Sequence, residues 1–325
     1  MERPLVTFGL KTYNQLAYVQ EALDGAFAQT YRPLEIVICD DGSTDGTWEL
    51  VAARVAAERA ARSEEIGSGE LSVVAERNVV NLGNTKNFER VGELAHGELV
   101  VKADGDDISL PERTARIVEA WLADGKRAQV ITHAVRTMDG GRILDGHDAK
   151  RPLGAGMAWA RACFRGWPEI GADCRRSFDD VVYSARGLLL GGELVLKDTL
   201  VRYRVGSGET SQADPRHFYA RGLEGVLAAE PQKRRDIVWA REAGIVDAER
   251  ETAALAELER ETRYYGAYYD LFAAPKLAVR WRAFRRVRGD FNWRGRLVFA
   301  TYLLPGGLGA WLRGLLFSVR KRMRG

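Results

Sequence analysis

The chain has 325 residues, of which 46% are hydrophobic and 29% charged, and this composition excludes an intrinsically disordered protein. Its three cysteines, Cys39, Cys163 and Cys174, are too few and too scattered for a disulfide framework or a zinc site, and they fit a reducing compartment. The net charge of +3 hides an asymmetry, because residues 276–325 hold thirteen Lys and Arg against one acidic residue. This tail therefore carries +12 and the remainder −9, which predicts chemistry in the body and an anionic partner for the tail.

The N-terminal part alternates apolar strands with amphipathic helices. Strands are predicted at 5–10, 35–39, 71–75 and 99–101, with helices at about 16–27, 44–62 and 84–94 between them. The first strand follows the Met-Glu-Arg-Pro start directly, so no signal peptide is expected. The alternation predicts an α/β fold, a Rossmann-like, mostly parallel sheet with helices on both faces. Ligands bind such sheets at the carboxyl ends of the strands, where Asp40-Asp41 and Asp104–Asp106 fall.

The pattern is looser after residue 132. The run from Ser109 to Glu112 predicts a capping box that opens a helix, and Asp139-Gly-Gly141 predicts a hairpin turn. A short helix is expected at about 157–164, a longer one at 178–190, and strands at 193–196 and 200–203. From residue 208 the chain is expected to be a helical extension.

Three carboxylates, Asp104, Asp106 and Asp107, stand within four residues at the end of the fourth strand. Like charges packed so closely repel each other, and a divalent cation would remove the conflict because hard cations prefer oxygen ligands. If that cation also binds a diphosphate, the chain is an enzyme that handles nucleotides.

The motifs along residues 4–212 resemble, in order and spacing, those of family 2 glycosyltransferases with the GT-A fold. The segments that carry the resemblance are Thr12-Tyr-Asn14, Gln29-Thr-Tyr31, Cys39-Asp-Asp-Gly-Ser-Thr-Asp45, Asn81-Leu-Gly83, Lys102-Ala-Asp-Gly-Asp-Asp107, Phe178-Asp-Asp180 and Leu200-Val-Arg-Tyr-Arg204. The resemblance implies a catalytic domain at 1–212, with a nucleotide-sugar half at 1–107 and an acceptor half at 108–212. Residues 213–325 would then be the helical extension, and residues 146–176 are expected to line the acceptor site.

The resemblance also implies roles for individual residues. Asp41 would accept a hydrogen bond from the nucleotide base, Asp104 would contact the ribose, and Asp106 would ligate Mn²⁺ or Mg²⁺ together with the diphosphate. Asp180 would be the general base of an inverting transfer from a nucleotide-diphosphate sugar to an acceptor hydroxyl, its pKa raised by the neighbouring carboxylate. The implied donor-binding residues are Thr12, Asn14, Asp41, Lys86, Asp104, Asp106 and Arg204.

Other interpretations of these residues stay open at this stage. Asp40 and Asp41 also suit a turn, Asp179 suits a helix N-terminus, and Lys86 suits a solvated helix face. Lys11 has no assigned role. A sugar-phosphate nucleotidyltransferase is an alternative function, although it would need a glycine-rich loop after the first strand, which is absent from the sequence there. A non-catalytic nucleotide-sugar-binding scaffold is another alternative, and the motif around Asp180 speaks against it.

The basic tail at 276–325 places Trp281, Trp293 and Trp311 among arginines. The uncharged run 297–312 would reach about 24 Å as a helix, short of a bilayer core of about 30 Å, so it is not expected to span. A basic, tryptophan-bearing amphipathic tail is typical of anionic membrane surfaces, and a helical bundle or an oligomer contact is the alternative. We expect a cytoplasmic enzyme bound peripherally to the inner face of the cell membrane, with a glycan or lipid-linked acceptor in cell-surface polysaccharide synthesis and no nucleic-acid partner.

Overall fold

We describe the protein from a computed structural model, which describes residues 3–144, 153–206, 215–290 and 293–304 and the single positions 309 and 312. The chain forms two compact units. The first comprises Met1–Glu209 and Ala228–Leu255, and the second comprises Thr210–Leu227 and Ala256–Gly325.

The first unit is built on one mixed sheet. Its strands are β1 (Val6–Thr12), β2 (Leu34–Asp40), β3 (Leu71–Arg77), β4 (Leu99–Asp104), β5 (Ile108–Ser109), β6 (Ala128–Thr137), β7 (Ile143–Leu144), β8 (Met157–Ala160) and β9 (Gly192–Tyr203). The spatial order is β3-β2-β1-β4-β8-β6-β9-β5, with β7 paired to β6. The first four of these strands are parallel, β8 runs antiparallel to both its neighbours, β9 is parallel to β6, and β5 is antiparallel to β9. The expected mostly parallel α/β sheet is confirmed.

The helices of the first unit include those expected at about 16–27, 44–62, 84–94 and 178–190. Those of the first unit are α1 (Val19–Phe27), α2 (Thr47–Ala61), α3 (Ser63–Gly67), α4 (Asn84–Leu94), α5 (Arg113–Ala123), α6 (Asp179–Leu190) and α8 (Glu230–Glu242). The C-terminal helical region contains α7 (Pro215–Ala228), α10 (Leu277–Val287) and α11 (Trp293–Ala300), and α9 (Ala248–Ala273) begins in the first unit and ends in the second. Within the described ranges, no helix has the length and apolarity that a membrane crossing requires.

Side chains alternate across the sheet and fill a core on each face. Phe8 and Leu10 of β1 join α1, α2 and α5 in the larger core. The opposite face packs against α4 and α6 and includes Val100, Trp159 and Tyr183. Because successive strand residues point to opposite faces, the even-numbered residues of β4 face α4 and α6, as Val100 does. This alternation places the polar side chains at the end of β4 beneath α6.

Three local predictions were wrong. The expected helix at 157–164 is strand β8 followed by a 3-10 turn at Arg161–Cys163, because β8 fills the gap between β4 and β6 and is buried along its whole length. The expected strands at 193–196 and 200–203 form one strand with irregular register. The expected capping box does not form. The helix begins at Arg113, and Ser109 Oγ instead accepts a hydrogen bond from the Arg113 guanidinium.

Candidate active site

The carboxyl ends of β1, β2 and β4 meet at one edge of the sheet and bring the predicted donor residues together. Thr12 ends β1 and donates a hydrogen bond from Oγ1 to Asp40 Oδ2 at 3.0 Å. The backbone N–H of Asp41 donates to the Thr12 carbonyl oxygen at 2.9 Å. Asn14 adopts a left-handed conformation with φ of 48°, and its Oδ1 accepts from the Thr44 N–H at 2.9 Å. The loops that follow β1 and β2 are thus fastened to each other.

Asp41 is buried, and both of its carboxylate oxygens are engaged. Oδ1 accepts from Asn78 Nδ2 at 2.9 Å and from the Leu82 N–H at 2.8 Å, while Oδ2 accepts from the Gly83 N–H at 2.9 Å. Each oxygen has two lone pairs, so these bonds fix the orientation of the carboxylate and leave it able to accept a further donor. By contrast, Asp40 is fully buried against Thr12 and Ser43, which is the turn role that the sequence allowed for it.

Two lysines and two aspartates form the centre of the site. Lys11 Nζ lies 3.2 Å from Asp104 Oδ1 and 2.7 Å from Asp179 Oδ2, and it also donates to Asn84 Oδ1. Lys102 Nζ lies 3.3 Å from Asp104 Oδ2 and 3.1 Å from Asp179 Oδ1. Each ammonium therefore bridges the same two carboxylates. We call these four residues the lysine–aspartate square.

The charges of the square stabilise one another in a largely dehydrated place. Burial alone would raise the pKa of Asp104, but Lys102 and Lys11 outweigh it and bring that pKa down to about 2. Burial disfavours the charge of Lys102, yet Asp104, Asp179 and Asp180 raise its pKa above the ordinary value of a lysine. Asp104 and Lys102 are consequently ionised at neutral pH.

Asp180 lies beside the square, in the first turn of α6. Its backbone N–H donates to Asp179 Oδ1 at 2.8 Å, and its own Oδ1 accepts from the Val181 N–H at 2.9 Å. Desolvation raises the pKa of Asp180 to about 6. Lys102 lowers that pKa and the charge of Asp179 raises it further. The expected upward shift is therefore found, although burial rather than the adjacent carboxylate is its largest cause.

The loop after β4 is held by the end of β9. The Arg204 N–H donates to Asp107 Oδ1 at 2.8 Å, and Arg204 Nε donates to the Asp106 carbonyl oxygen at 3.0 Å. The guanidinium also stacks 4.6 Å from the ring centre of Tyr18 and pairs with Glu21. Burial, with the charges of Asp106 and Asp104, raises the pKa of Asp107 well above its usual range. Arg204 thus shapes the carboxylate loop through its backbone and its side chain together.

Gly105 lets the loop after β4 pack against the loop after β1. A Cβ at this position would lie 2.4 Å from Gln15 Oε1 and 2.8 Å from Thr12 Cγ2. The absent side chain therefore makes room for the loop after β1.

Lys86 lies on the first turn of α4 and forms an ion pair with Glu169 at 2.6 Å. That hydrogen bond raises the pKa of Lys86. The structure therefore places Lys86 at an ion pair on the surface, and its predicted contact with the donor stays a prediction.

A buried arginine lies behind the carboxylate loop. Arg113 Nε donates to His133 Nε2 at 2.9 Å, and Nη2 donates to the Ala155 carbonyl oxygen at 2.9 Å. Burial and the charge of Arg113 lower the pKa of His133 to about 3, so this histidine is neutral. Burial lowers the pKa of Arg113 to about 10, against the opposing attraction of Asp104 and Asp107. A fixed positive charge thus stands behind the acidic loop.

Sequence reasoning missed the roles of Lys11, Lys102 and Asp179. The signal lies in strand register, since Lys11 pairs with Asp104 across β1 and β4, and Lys102 precedes Asp104 by two residues on the same face. Asp179, which covers that face, could not be predicted from the local sequence, because it follows Lys102 by 77 residues.

A divalent metal fits this loop only together with a substrate. Among the described residues, no cluster of three or more His, Cys, Asp or Glu side chains could hold a metal ion. Both carboxylate oxygens of Asp104 are engaged by ammonium groups. Asp106, buried in the same loop, offers a carboxylate of the kind that Mg²⁺ or Mn²⁺ shares with a diphosphate. The metal ligands that this loop offers therefore fit a cation that binds together with the nucleotide.

Part of the chain matches a known family in sequence. The family model described as glycosyl transferase family 2 matches residues 7–161. This segment belongs to glycosyl transferase family 2. The matched segment runs from β1 to just beyond β8, and Asp179 and Asp180 follow it.

The curated relatives of this chain match it over part of their length. The chain is 40% identical over 47 residues to the Escherichia coli UDP-Glc:alpha-D-GlcNAc-diphosphoundecaprenol beta-1,3-glucosyltransferase WfaP. This alignment covers 14% of this chain and 19% of WfaP. The chain spans between 25% and 48% of the length of the first curated relatives that it matches.

Two solved structures resemble the chain along nearly its whole length. S. aureus TarS 1-349 in complex with UDP-GlcNAc has a TM-score of 0.57 at 18% identity and covers 97% of this chain and 87% of its own. The mannosyltransferase PcManGT from Pyrobaculum calidifontis, in complex with GDP-Man and Mn²⁺, has a TM-score of 0.55 at 18% identity and covers 99% of this chain and 87% of its own. At such identity these likenesses show the fold, which is GT-A.

Proposed function

We propose that this protein is an inverting glycosyltransferase that moves a sugar from a nucleotide-diphosphate sugar to an acceptor hydroxyl. The observation that carries the proposal is the position of Asp180, a carboxylate whose pKa is raised to about 6, beside the square that ends at the D-x-D loop. A general base works best when its pKa lies near the working pH. The family match and the nucleotide sugars bound by the two structural neighbours support the same reaction.

In the proposed reaction Asp180 accepts the proton of the acceptor hydroxyl while the oxygen forms a bond to the anomeric carbon. The bond from that carbon to the diphosphate oxygen breaks, and the nucleoside diphosphate leaves from the opposite face. Negative charge grows on the leaving phosphate, and a divalent cation held by Asp106 would neutralise it. Mn²⁺ or Mg²⁺ suits a carboxylate ligand of this kind, and the structural neighbour in complex with Mn²⁺ supports such a metal.

The proposed donor site takes in the predicted residues at the strand ends. Asp41 would accept an N–H of the base, for which its carboxylate is already oriented by Leu82 and Gly83. Asp104 would bind the ribose, and Arg204 would keep the loop around Asp106 in shape. Thr12, Asn14 and Lys86 complete the donor-binding set that we propose.

We propose a lipid-linked glycan as the acceptor, in cell-surface polysaccharide synthesis at the inner face of the membrane. The acceptor in the name of WfaP, a diphosphoundecaprenol-linked sugar, supports this class. Helix α10 supports a membrane surface, because Ala283, Phe284 and Val287 are buried while Leu277 and Trp281 are exposed beside arginines. Residues 146–152 of the predicted acceptor segment 146–176, and the part of the predicted membrane tail 276–325 beyond residue 312, lie outside the described residues.

Replacement of Asp180 tests the reaction. Donors are first selected by measuring hydrolysis of a panel of UDP- and GDP-sugars with Mn²⁺. We expect Asp180→Asn to bind the selected donor with unchanged affinity and to lose at least 100-fold in transfer or hydrolysis, since general-base catalysis contributes about 10²–10⁴-fold. The matched control is Asp139→Asn, an exposed carboxylate in the β6–β7 turn. Full activity of Asp180→Asn would refute the base, and no turnover of any donor would refute the reaction.

Liposome sedimentation tests the membrane contact. Removal of residues 276–325 should abolish binding to vesicles that contain anionic phospholipid, whereas Trp281→Ala should weaken it. Binding that is unchanged by the truncation would contradict this part of the proposal.

A further inference from the structure

The square joins two parts of the first unit that are remote in sequence. Asp104 belongs to β4, next to the proposed donor loop, and Asp179 belongs to the first turn of α6, next to the proposed base. Lys11 and Lys102 each contact both carboxylates, at 2.7–3.3 Å. All four side chains are buried or nearly so, the most exposed being Asp104 at 20%. A buried charge without its partner is strongly destabilising, so each lysine fixes the distance between the strand end and the helix start.

The two lysines differ in what else they face. Lys11 has three polar neighbours, Asp104, Asp179 and Asn84, which account for the three N–H bonds of its ammonium. The described contacts of Lys102 use two of its three N–H bonds, and its remaining side faces Asp180 across Gly154. A Cβ on Gly154 would lie 2.6 Å from Lys102 Nζ and 2.8 Å from Asp180 Oδ2. The absent side chain at position 154 therefore leaves room for both the ammonium and the carboxylate of the base.

We propose that Lys102 is a positioning residue of the transfer reaction, which anchors the start of α6 to β4 and keeps Asp180 ionised and turned towards the acceptor. This inference rests on the proposed role of Asp180 as the base. Lys102 stays protonated throughout, so the proton of the acceptor hydroxyl goes to Asp180 alone. Lys11 anchors the same helix from β1, and its charge acts on the base less strongly than the charge of Lys102 does.

The charged groups that act on Asp180 come from three elements. Lys102 and Asp104 lie on β4, Lys11 lies on β1, and Asp179 precedes Asp180 on α6. The two lysines favour the ionised base and the two aspartates oppose it. Lys102 has the largest charge effect of the four. Its removal should therefore shift the titration of Asp180 more than the removal of Lys11 does.

The titration of Asp180 can be measured without any substrate. Carbon NMR of the aspartate carboxyl groups in the full chain follows each pKa, and the resonance lost in Asp180→Asn assigns the base. We expect Lys102→Met to raise the pKa of Asp180 by about 1–3 units, the usual effect of losing an opposite charge at close range. Lys102→Arg should restore most of the original value. Lys11→Met should give a smaller rise, and Lys126→Met, which removes a lysine paired with Glu98 on the surface, should give none.

Activity provides the second measurement. In the pH dependence of kcat/KM for the selected donor, the acidic limb should move to higher pH in Lys102→Met. The shift should equal the rise in the pKa of Asp180 measured by NMR. Gly154→Ala, which keeps the lysine but separates it from the base, should move the limb in the same direction. This variant keeps the test decisive if Lys102→Met does not fold.

The outcomes separate the inference from the proposed function. The positioning role would be overturned if neither the acidic limb of the pH profile nor the pKa of Asp180 moves in Lys102→Met. If only Gly154→Ala folds, the same result in that variant would overturn it. This holds even if Asp180→Asn is inactive. A uniform loss of rate at every pH would show that Lys102 supports the fold alone. Full activity of Asp180→Asn would instead overturn the base, whatever the lysine variants do.

Discussion

The ion pair between Arg186 and Asp236 offers the sharpest test of what holds the base in place. Arg186 lies on α6, seven residues after Asp179, and its Nε donates to Asp236 Oδ2 of α8 at 2.7 Å. Both side chains are almost completely buried, at 2% and 0% exposure. Arg186 also donates to the Pro168 carbonyl oxygen at 2.9 Å, and Gln232 Nε2 donates to Asp236 Oδ1 at 2.9 Å.

Removal of one partner leaves the other charge buried without compensation. Arg186→Met leaves Asp236 with Gln232 as its described side-chain donor, and we expect a loss of about 3–5 kcal/mol in the free energy of unfolding. Asp236→Leu should cost a similar amount. The double variant Arg186→Met/Asp236→Leu replaces both charges by apolar groups, which is often nearly neutral, so it should be more stable than either single variant.

Urea unfolding followed by circular dichroism measures these differences, and each single change should lower the midpoint by about 1 M or more. The control is Arg116→Met, which removes the exposed pair with Asp198 and should cost less than about 1 kcal/mol. A cost below about 1 kcal/mol for Arg186→Met, or a double variant as unstable as the sum of its singles, would refute this reasoning.

Three further predictions concern the site and its frame. The reaction needs an ionised Asp180, so kcat/KM should fall about tenfold for each pH unit below about 6, and a flat profile down to pH 5 would contradict the raised pKa of Asp180. Chelation of divalent cations should abolish donor hydrolysis and Mn²⁺ should restore it, whereas unchanged hydrolysis in excess chelator would exclude a metal on Asp106. Gly97→Ala should lower the free energy of unfolding by about 1–3 kcal/mol, because a Cβ there would lie 2.3 Å from the Thr7 backbone nitrogen. Gly140→Ala, with open space around its Cβ, should be neutral in the same urea unfolding experiment, and equal effects would contradict the packing explanation.

Much of the fold could be predicted from periodicity. The βα alternation up to β4 follows from long, regular patterns, and α4 occupies the residues that its pattern indicated. Strand β8 was mistaken for a helix because a run of four apolar residues has too few positions to show its period. Its identity depends on β4 and β6 on either side, which are contacts remote in sequence.

The site shows the same division between local and remote information. The D-x-D loop stands out in the sequence because its repulsion is local. The charges that offset this repulsion are not local, since Lys11 comes from β1 and Arg113 from α5. In the sequence Asp179 resembles an ordinary helix-start residue, and only tertiary structure shows that it is buried between two lysines. Residue types therefore indicated the kind of chemistry. The partners that balance the charges could be identified only from the folded structure.

The bond from the Arg204 N–H to Asp107 bears on whether residues 1–107, the predicted nucleotide-sugar half, could fold alone. Arg204 follows Asp107 by 97 residues, and β9, which ends just before Arg204, pairs with β5 directly after the acidic loop. A fragment of residues 1–107 would carry the acidic loop without the segment that sets its conformation, and would leave β4 without its pairing to β8. Both segments lie in one compact unit, and we expect that a chimera that exchanges residues 1–107 would have to bring the end of β9 with it.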